Sequence, residues 1–258
     1  MRILLIDGGY STFYRFHATL QWWRKQEKPI DTCWEHFEFR NTLLKKYEKC
    51  ISDLIKKLKI DKTIFCMDGK NSWRNQLIKD YKGGRTNGHQ MMNVYLKDIR
   101  EKIPNICDKL LIQYKISPGI EADDWIAYEI LENNDPNNQY FIVSSDHDFY
   151  PLLNSQVSMV DMLGKSNVKE NAVTGKLYLK QKLLMGDKSD NIPPIYKGCG
   201  EKTALKLAQN DIELEKTINK HPGAREQLEL NRKLIEFGNW PTHIKQIMTN
   251  YVTHTAQS

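Results

Sequence analysis

The sequence predicts an α/β fold with a mainly parallel sheet flanked by helices, and two observations carry that prediction. First, three short apolar runs lead into aspartates: Ile3-Leu4-Leu5-Ile6 into Asp7, Thr63-Ile64-Phe65-Cys66-Met67 into Asp68, and Tyr140-Phe141-Ile142-Val143, through Ser144-Ser145, into Asp146. Continuous apolar runs of this length, bounded by polar residues, suit strands buried on both faces of a parallel sheet. Second, helical patterns separate them, notably Asn41 to Leu58 and Glu121 to Leu131. Strand–helix alternation implies right-handed crossovers. In such sheets the ligand site lies beyond the carboxyl ends of the strands, so the three aspartates are expected to converge on one sheet edge.

Two further strand candidates, Leu110 to Ile116 and Val157 to Val160, widen the sheet. From about Thr174 the character changes to helix and turn, punctuated by Gly175, Gly186, Pro193, Pro194, Gly198, Gly200 and Gly223. The last helix is expected to begin near Pro241, a residue tolerated in a first turn, and to fray after Val252.

Composition bounds the class. The chain has 258 residues, 38 Lys+Arg against 32 Asp+Glu, and a formal net charge of +6. Its 40% hydrophobic and 10% aromatic content excludes disorder and supports a sizeable core. The apolar runs fall far short of the roughly 20 residues needed to span a bilayer, and Asp7 interrupts the first at once, against a signal peptide. Five scattered cysteines, none in a C-x-x-C pair, exclude a disulfide framework and a zinc ribbon. A reducing intracellular compartment such as the cytoplasm is expected, with no membrane partner.

More carboxylates join the three strand ends. Glu121, Asp123 and Asp124 open the helix after Pro118-Gly119, with Glu121 and Asp124 sharing a face at i and i+3. Asp148 lies two residues beyond Asp146, and Asp187 and Asp190 lie in Gly186-Asp187-Lys188-Ser189-Asp190. Taken singly, each is explained as a helix-dipole complement or a turn former. Nine carboxylates on one edge, however, would repel and raise one another's pKa, which bound divalent cations relieve. All-oxygen ligation without His or Cys suits Mg²⁺ or Mn²⁺. Two such ions about 3.5–4 Å apart suit in-line attack on phosphate esters, so phosphodiester hydrolysis is expected.

The basic residues complement this edge. Setting those nine acids aside leaves 38 basic against 23 acidic residues. Residues 70 to 102 carry Lys70, Arg74, Lys79, Lys82, Arg85, Lys97, Arg100 and Lys102 against three acids, together with Trp73 and Tyr81 as stacking or packing surfaces. The run Lys45 to Lys62 reads as a solvated helix face. Gly198-Cys199-Gly200-Glu201-Lys202-Thr203-Ala204 forms a glycine turn feeding a helix that ends near Ala208, where exposed backbone N–H groups can hold a phosphate without reading sequence.

With these residues assembled, the chain resembles the flap endonuclease and 5′-3′ exonuclease family, in particular the bacteriophage-type, ribonuclease H-like 5′-nucleases that trim RNA primers. The matching pieces run in order: Ile6-Asp7-Gly8 with Arg15; Asp68-Gly69-Lys70 and Trp73-Arg74; Asp80-Tyr81-Lys82-Gly83-Gly84-Arg85; Glu121-Ala122-Asp123-Asp124; Ser144-Ser145-Asp146-His147-Asp148-Phe149; and Gly186-Asp187-Lys188-Ser189-Asp190-Asn191-Ile192-Pro193. Asn231 to Tyr251 is similar to the family's closing helices. The resemblance implies a PIN-like α/β nuclease core over 1–173 with a helical arch at about 70–102. It further implies a helical region with a helix-three-turn-helix over 174–252 and a frayed tail at 253–258.

The resemblance also implies roles. The nine carboxylates would hold two Mg²⁺ or Mn²⁺ ions. Lys82 and Arg85 would contact the scissile phosphate and Tyr81 would stack near the displaced terminal nucleotide. Arg15, Arg74, Lys197, Gly198, Gly200, Lys202 and Thr203 would contact nucleic acid, and backbone groups of Leu184, Met185, Pro193 and Ile195 would hold K⁺. Implied partners are branched or nicked duplex DNA and RNA/DNA hybrids with free 5′ ends, met by a monomer, with a single-strand binding protein or clamp recruiting it in replication or repair.

Two features depart from the pattern. Seven residues, Pro194 to Gly200, separate Asn-Ile-Pro from Glu-Lys-Thr-Ala where the family has six, and His147 sits between the paired aspartates. Three other classes compete. A PIN-type single-strand ribonuclease has no need of the turn after Asp187. A sugar- or acetate-kinase-like fold rests on Asp7-Gly8-Gly9-Tyr10-Ser11-Thr12 alone, without a second phosphate loop. A catalytically silent structure-binding protein would bind flaps without cutting them.

Overall fold

The computed structural model describes residues 1–83, 90–133 and 135–255, with the backbone alone for 90–94 and 252–255. Five strands form one sheet: β1 (Arg2–Asp7), β2 (Lys62–Cys66), β3 (Gln113–Lys115), β4 (Gln139–Val143) and β5 (Val157–Val160). Their order is β3-β2-β1-β4-β5 and every pairing is parallel. The register pairs Leu5 with both Ile64 and Ile142, which aligns the carboxyl ends of the three central strands. The chain runs outward from β1 through β2 to β3 and then returns to β4 on the other side of β1. The β1–β4 boundary is therefore the switch point at which a parallel sheet opens a crevice.

Alternation along β1 assigns the two faces. Ile3 and Leu5 pack toward α4 (Ala122–Glu132) and α9 (Thr242–Thr255), in a cluster with Trp125, Ile126, Ile244 and Met248. Leu4 and Ile6 face α1 (Gly8–Arg24), α2 (Phe37–Leu58) and α3 (Gln90–Lys109), meeting Phe16, Leu43, Tyr47, Ile99 and Ile103. A separate apolar cluster joins α5 (Gly175–Met185), α6 (Glu201–Ala208), α7 (Asp211–Lys220) and α8 (Ala224–Ile235). Among the described residues no helix is long and apolar enough to cross a membrane.

Several boundaries differ from the sequence reading. α2 starts at Phe37, four residues before Asn41, because Phe39 is itself fully buried and extends the apolar stripe. The third strand covers only Gln113–Lys115. Leu110 and Leu111 instead close α3: Ile112 N–H reaches Cys107 O at 2.8 Å, and Leu111 is 93% exposed with φ 54°. The expected arch at 70–102 is described on either side of residues 84–89. It holds a 3-10 turn at Trp73–Gln76, and α3 then covers the sheet through Ile99 and Ile103. Residues 84–89 lie outside the described residues. α9 continues past Val252 to Thr255, and 256–258 likewise lie outside the described residues.

Candidate active site

Asp7 ends β1 and caps α1. Its Oδ1 accepts from Tyr10 N–H at 3.1 Å and its Oδ2 from the Ser144 hydroxyl at 2.8 Å, which ties the ends of β1 and β4 together. Asp68 follows β2 and accepts from Ala122 N–H, the first residue of α4, at 2.9 Å. Asp146 caps the short 3-10 turn His147–Leu152 by accepting from Asp148 N–H at 2.9 Å. These three, with Asp123, line one open cleft of about 420 Å³ beside Gly9, Tyr10, Phe13, Lys82 and Arg100. The expected convergence therefore occurs, and at the switch point.

Behind this cleft lies a buried ion-pair network. Glu121 caps α4 and forms a capping box with Asp124. The Arg74 guanidinium, 4% exposed, donates to Glu121 at 2.8 Å, to both oxygens of Asp124 at 2.9 and 2.8 Å, and to Leu234 O at 2.8 Å. Asp124 also accepts from the indole N–H groups of Trp73 at 3.0 Å and Trp240 at 2.9 Å. Burial would raise the Asp124 carboxyl, but the Arg74 pair and the indole bonds outweigh it and hold it below the ordinary range. Tyr81, 7% exposed, donates to Glu121 at 3.1 Å and Asp190 at 3.2 Å. Lys82 adds an ammonium on Glu121. Burial alone would lower that ammonium, yet Asp123 and Glu121 shift it upward.

A second carboxylate group adjoins the first. Asp148, Asp187 and Asp190 bring ligand oxygens within 4.8 Å of one another. The Lys182 ammonium, from the last turn of α5, contacts Asp148 and lies 3.0 Å from Asp187. Next to it opens a cleft of about 550 Å³, lined in part by His147, Lys182, Lys188, Gly198, Gly200 and Glu201.

The electrostatics fit a cation site. Burial drives the Asp7 carboxyl upward, and burial with the nearby Glu121 and Asp124 raises Asp123 strongly. Asp148 is pushed up to about 6, chiefly by burial, against the pull of Lys182. Among the described residues, the buried Arg74 and Lys182 and the partly exposed Lys82 set three cations against the nine carboxylates. The donor set is all oxygen, as hard divalent ions require. Ammonium groups already stand among the carboxylates in the place of cations, and glycine at position 9 leaves room between Asp7 and Asp68. A Cβ there would lie 3.4 Å from Asp7 Oδ1 and 3.8 Å from Asp68 Oδ2.

Several individual expectations change. Arg74 is not exposed to nucleic acid, because its donors are consumed by buried carboxylates. Tyr81 is likewise unavailable for stacking, since its ring is buried and its hydroxyl is bonded inward. Asp124 brings a ligand oxygen within 4.8 Å of those of Glu121 and Asp123, while both its oxygens also accept from protein donors. Arg15 lies against Cys50 and Lys46 of α2, away from the cleft that α1 lines with Gly9, Tyr10 and Phe13. Arg85 lies outside the described residues. Lys197, Gly198, Gly200, Lys202 and Thr203 are exposed at the entry to α6. Of the four residues expected around K⁺, Leu184 O already accepts from Ile195 N–H and Pro193 O from the Asn231 amide, each at 3.0 Å; Met185 and Ile195 flank them on the same segment.

Sequence reasoning missed Lys182, Trp240, Ser144 and the exposed ring of Phe13 (47%) at the cleft mouth. Lys182 had a signal, a lysine one helical turn before the Gly186-Asp187 corner. Trp240 had none, because its partner lies 116 residues away in sequence.

Residues 2–178 match the 5′-3′ exonuclease, N-terminal resolvase-like domain. The chain is 29% identical over 227 residues to DNA polymerase I of Lactococcus lactis subsp. cremoris, covering 83% of this chain but 24% of the polymerase. It is 30% identical over 185 residues to the flap endonuclease Xni of Pseudoalteromonas translucida, covering 65% of this chain and 66% of that protein. The chain thus spans about a quarter of the first relative and just under two thirds of the second. A bacteriophage T5 flap endonuclease, solved as a pseudo-enzyme–product complex with DNA and metal ions, superposes with a TM-score of 0.72 at 18% identity, over 100% of this chain and 98% of that one. That likeness establishes the shared fold.

Proposed function

Because the chain belongs to the family of the 5′-3′ exonuclease N-terminal resolvase-like domain, we propose that it is a divalent-metal-dependent 5′-nuclease. Its substrates would be branched or nicked duplex DNA, and RNA/DNA hybrids, with free 5′ ends. The observation that carries the reading is the cleft in which Asp7, Asp68, Asp123 and Asp146, from four separate chain segments, meet beside Lys82, Arg100 and an exposed Phe13.

In this reading Asp7, Asp68, Glu121, Asp123 and Asp146 hold one Mg²⁺ or Mn²⁺ ion, and Asp148, Asp187 and Asp190 hold a second. Bound divalent ions supply Lewis acidity, activating water and neutralising charge at the leaving oxygen. The protein's own residues do the rest. Ser144 fixes the rotamer of Asp7 through the 2.8 Å hydrogen bond. Arg74 and Asp124 hold Glu121 in place from behind. Lys82, at the cleft wall, offers an ammonium to the scissile phosphate as its charge grows in the transition state. The Phe13 ring is the stacking surface for the terminal base, a role better suited to it than to the buried Tyr81. The exposed N–H groups at the entry to α6 grip duplex backbone. A K⁺ ion on the remaining carbonyl lone pairs of residues 184–195 would strengthen that grip.

The test is a cleavage time course on end-labelled duplexes bearing a 5′ flap, a 3′ flap or a 5′ RNA primer, each in Mg²⁺ and in EDTA. Cutting confined to 5′ structures and abolished by EDTA supports the reading. Equal attack on both flap polarities rejects the 5′ assignment, and binding without cutting rejects catalysis.

A further inference from the structure

Lys182 is a cation lodged inside a carboxylate group that the mechanism assigns to a metal. Its side chain is 4% exposed, and its ammonium joins Asp148, in the 3-10 turn after β4, to Asp187, at the corner after α5. Asp190 completes the same group. An ammonium and a divalent ion cannot share these oxygens, because like charges at such separations repel strongly in a partly buried site. A lysine suits displacement: it is a point charge on a flexible stem, without the fixed fork that anchors an arginine. The neighbouring 550 Å³ cleft, into which Lys182 already faces, provides room for it.

Resting on the nuclease reading, we propose that Lys182 is a displaceable internal counter-ion. Without divalent metal it closes the Asp148–Asp187–Asp190 group. A divalent ion binding there expels the ammonium into the cleft, toward Glu201 and the glycine turn on which a substrate phosphodiester lies. The second ion must therefore compete with this resident charge for Asp148 and Asp187. Linkage requires the reverse as well: a phosphodiester that receives the ammonium raises affinity for the second ion.

Two measurements on the full chain without DNA test this. The first titrates Mn²⁺ by electron paramagnetic resonance into wild type and Lys182→Met. Removing a buried competing charge is worth enough to raise second-site affinity by roughly tenfold or more. The second follows reductive methylation of wild type by peptide mass spectrometry: Lys182 is protected in EDTA and becomes reactive in saturating Mg²⁺. This arm keeps the test decisive should Lys182→Met fail to fold. Unchanged or weaker second-site binding in the variant overturns the proposal, as does protection of Lys182 that persists in Mg²⁺ with two ions bound. Absence of Mn²⁺ binding at both groups overturns the nuclease reading itself.

Discussion

Removing the guanidinium of Arg74 would leave the completely buried Asp124 without a cation and Glu121 with the Lys82 ammonium alone. Breaking a buried pair from one side costs far more than the pair's net contribution, on the order of 3–5 kcal/mol. Arg74→Met should therefore lose about 3–5 kcal/mol of stability in urea unfolding, and Arg74→Lys should recover only part, because an ammonium cannot reach both carboxylates at once. A loss below about 1 kcal/mol would contradict the network. Asp148 gives a prediction in pH. Its folded value, about 6, lies above the ordinary 3.8, so its protonation stabilises the metal-free fold. That contribution is full below 3.8 and disappears as pH rises through about 6. Asp124 and Asp187 are shifted downward and weaken the fold only below the ordinary carboxylate range, outside this window. In EDTA the melting midpoint should fall between pH 4 and 6 by more in wild type than in Asp148→Asn; equal slopes would refute the assignment. Residue roles of this kind were poorly legible in the sequence. Arg74 and Tyr81 look like solvent-facing ligands until the fold buries them, since exposure is a property of tertiary packing.

Among the elements, the three central strands were readable because each is an apolar run with a polar stop, and β5 also lies where the sequence places it. β3 was overextended because Leu110 and Leu111 continue the apolar run, although they belong to the closing turn of α3. The corner after α5 depends on one glycine. Gly186 has φ 68° and ψ −162°, a region essentially restricted to glycine, and a Cβ there would sit 2.4 Å from Ile192 O and 2.5 Å from Pro193 O. Gly186→Ala should cost about 1–3 kcal/mol from backbone strain alone, and should loosen the Asp187–Asp190 turn and with it Mn²⁺ binding at the second group. Gly200→Ala is the control, since φ is −86° and nothing lies within 4 Å of its Cβ position; its stability should stay within about 0.5 kcal/mol of wild type. Equal losses in the two variants would show that the corner is not under the constraint described.

At the scale of the whole molecule, the convergence of distant acids was legible because parallel topology leaves little choice: strands that run the same way end on the same edge. The division into two carboxylate groups with a lysine wedged in one was not, because Lys182 and Leu234 reach the site from α5 and α8, and Trp240 from the loop between α8 and α9, and no local pattern encodes how these segments dock. The central claim is that this edge hydrolyses phosphodiesters through bound divalent metal. Asp146 tests it most directly, since it is exposed in the cleft, caps only a short turn, and can be removed with little harm to the fold. The decisive measurement compares wild type and Asp146→Ala on a 5′-flap duplex in Mg²⁺, reading cleavage rate and duplex affinity together. Cleavage should fall by at least about a hundredfold, the scale on which single electrostatic groups contribute to catalysis, while affinity changes little. A variant that still cuts at the wild-type rate would contradict the account.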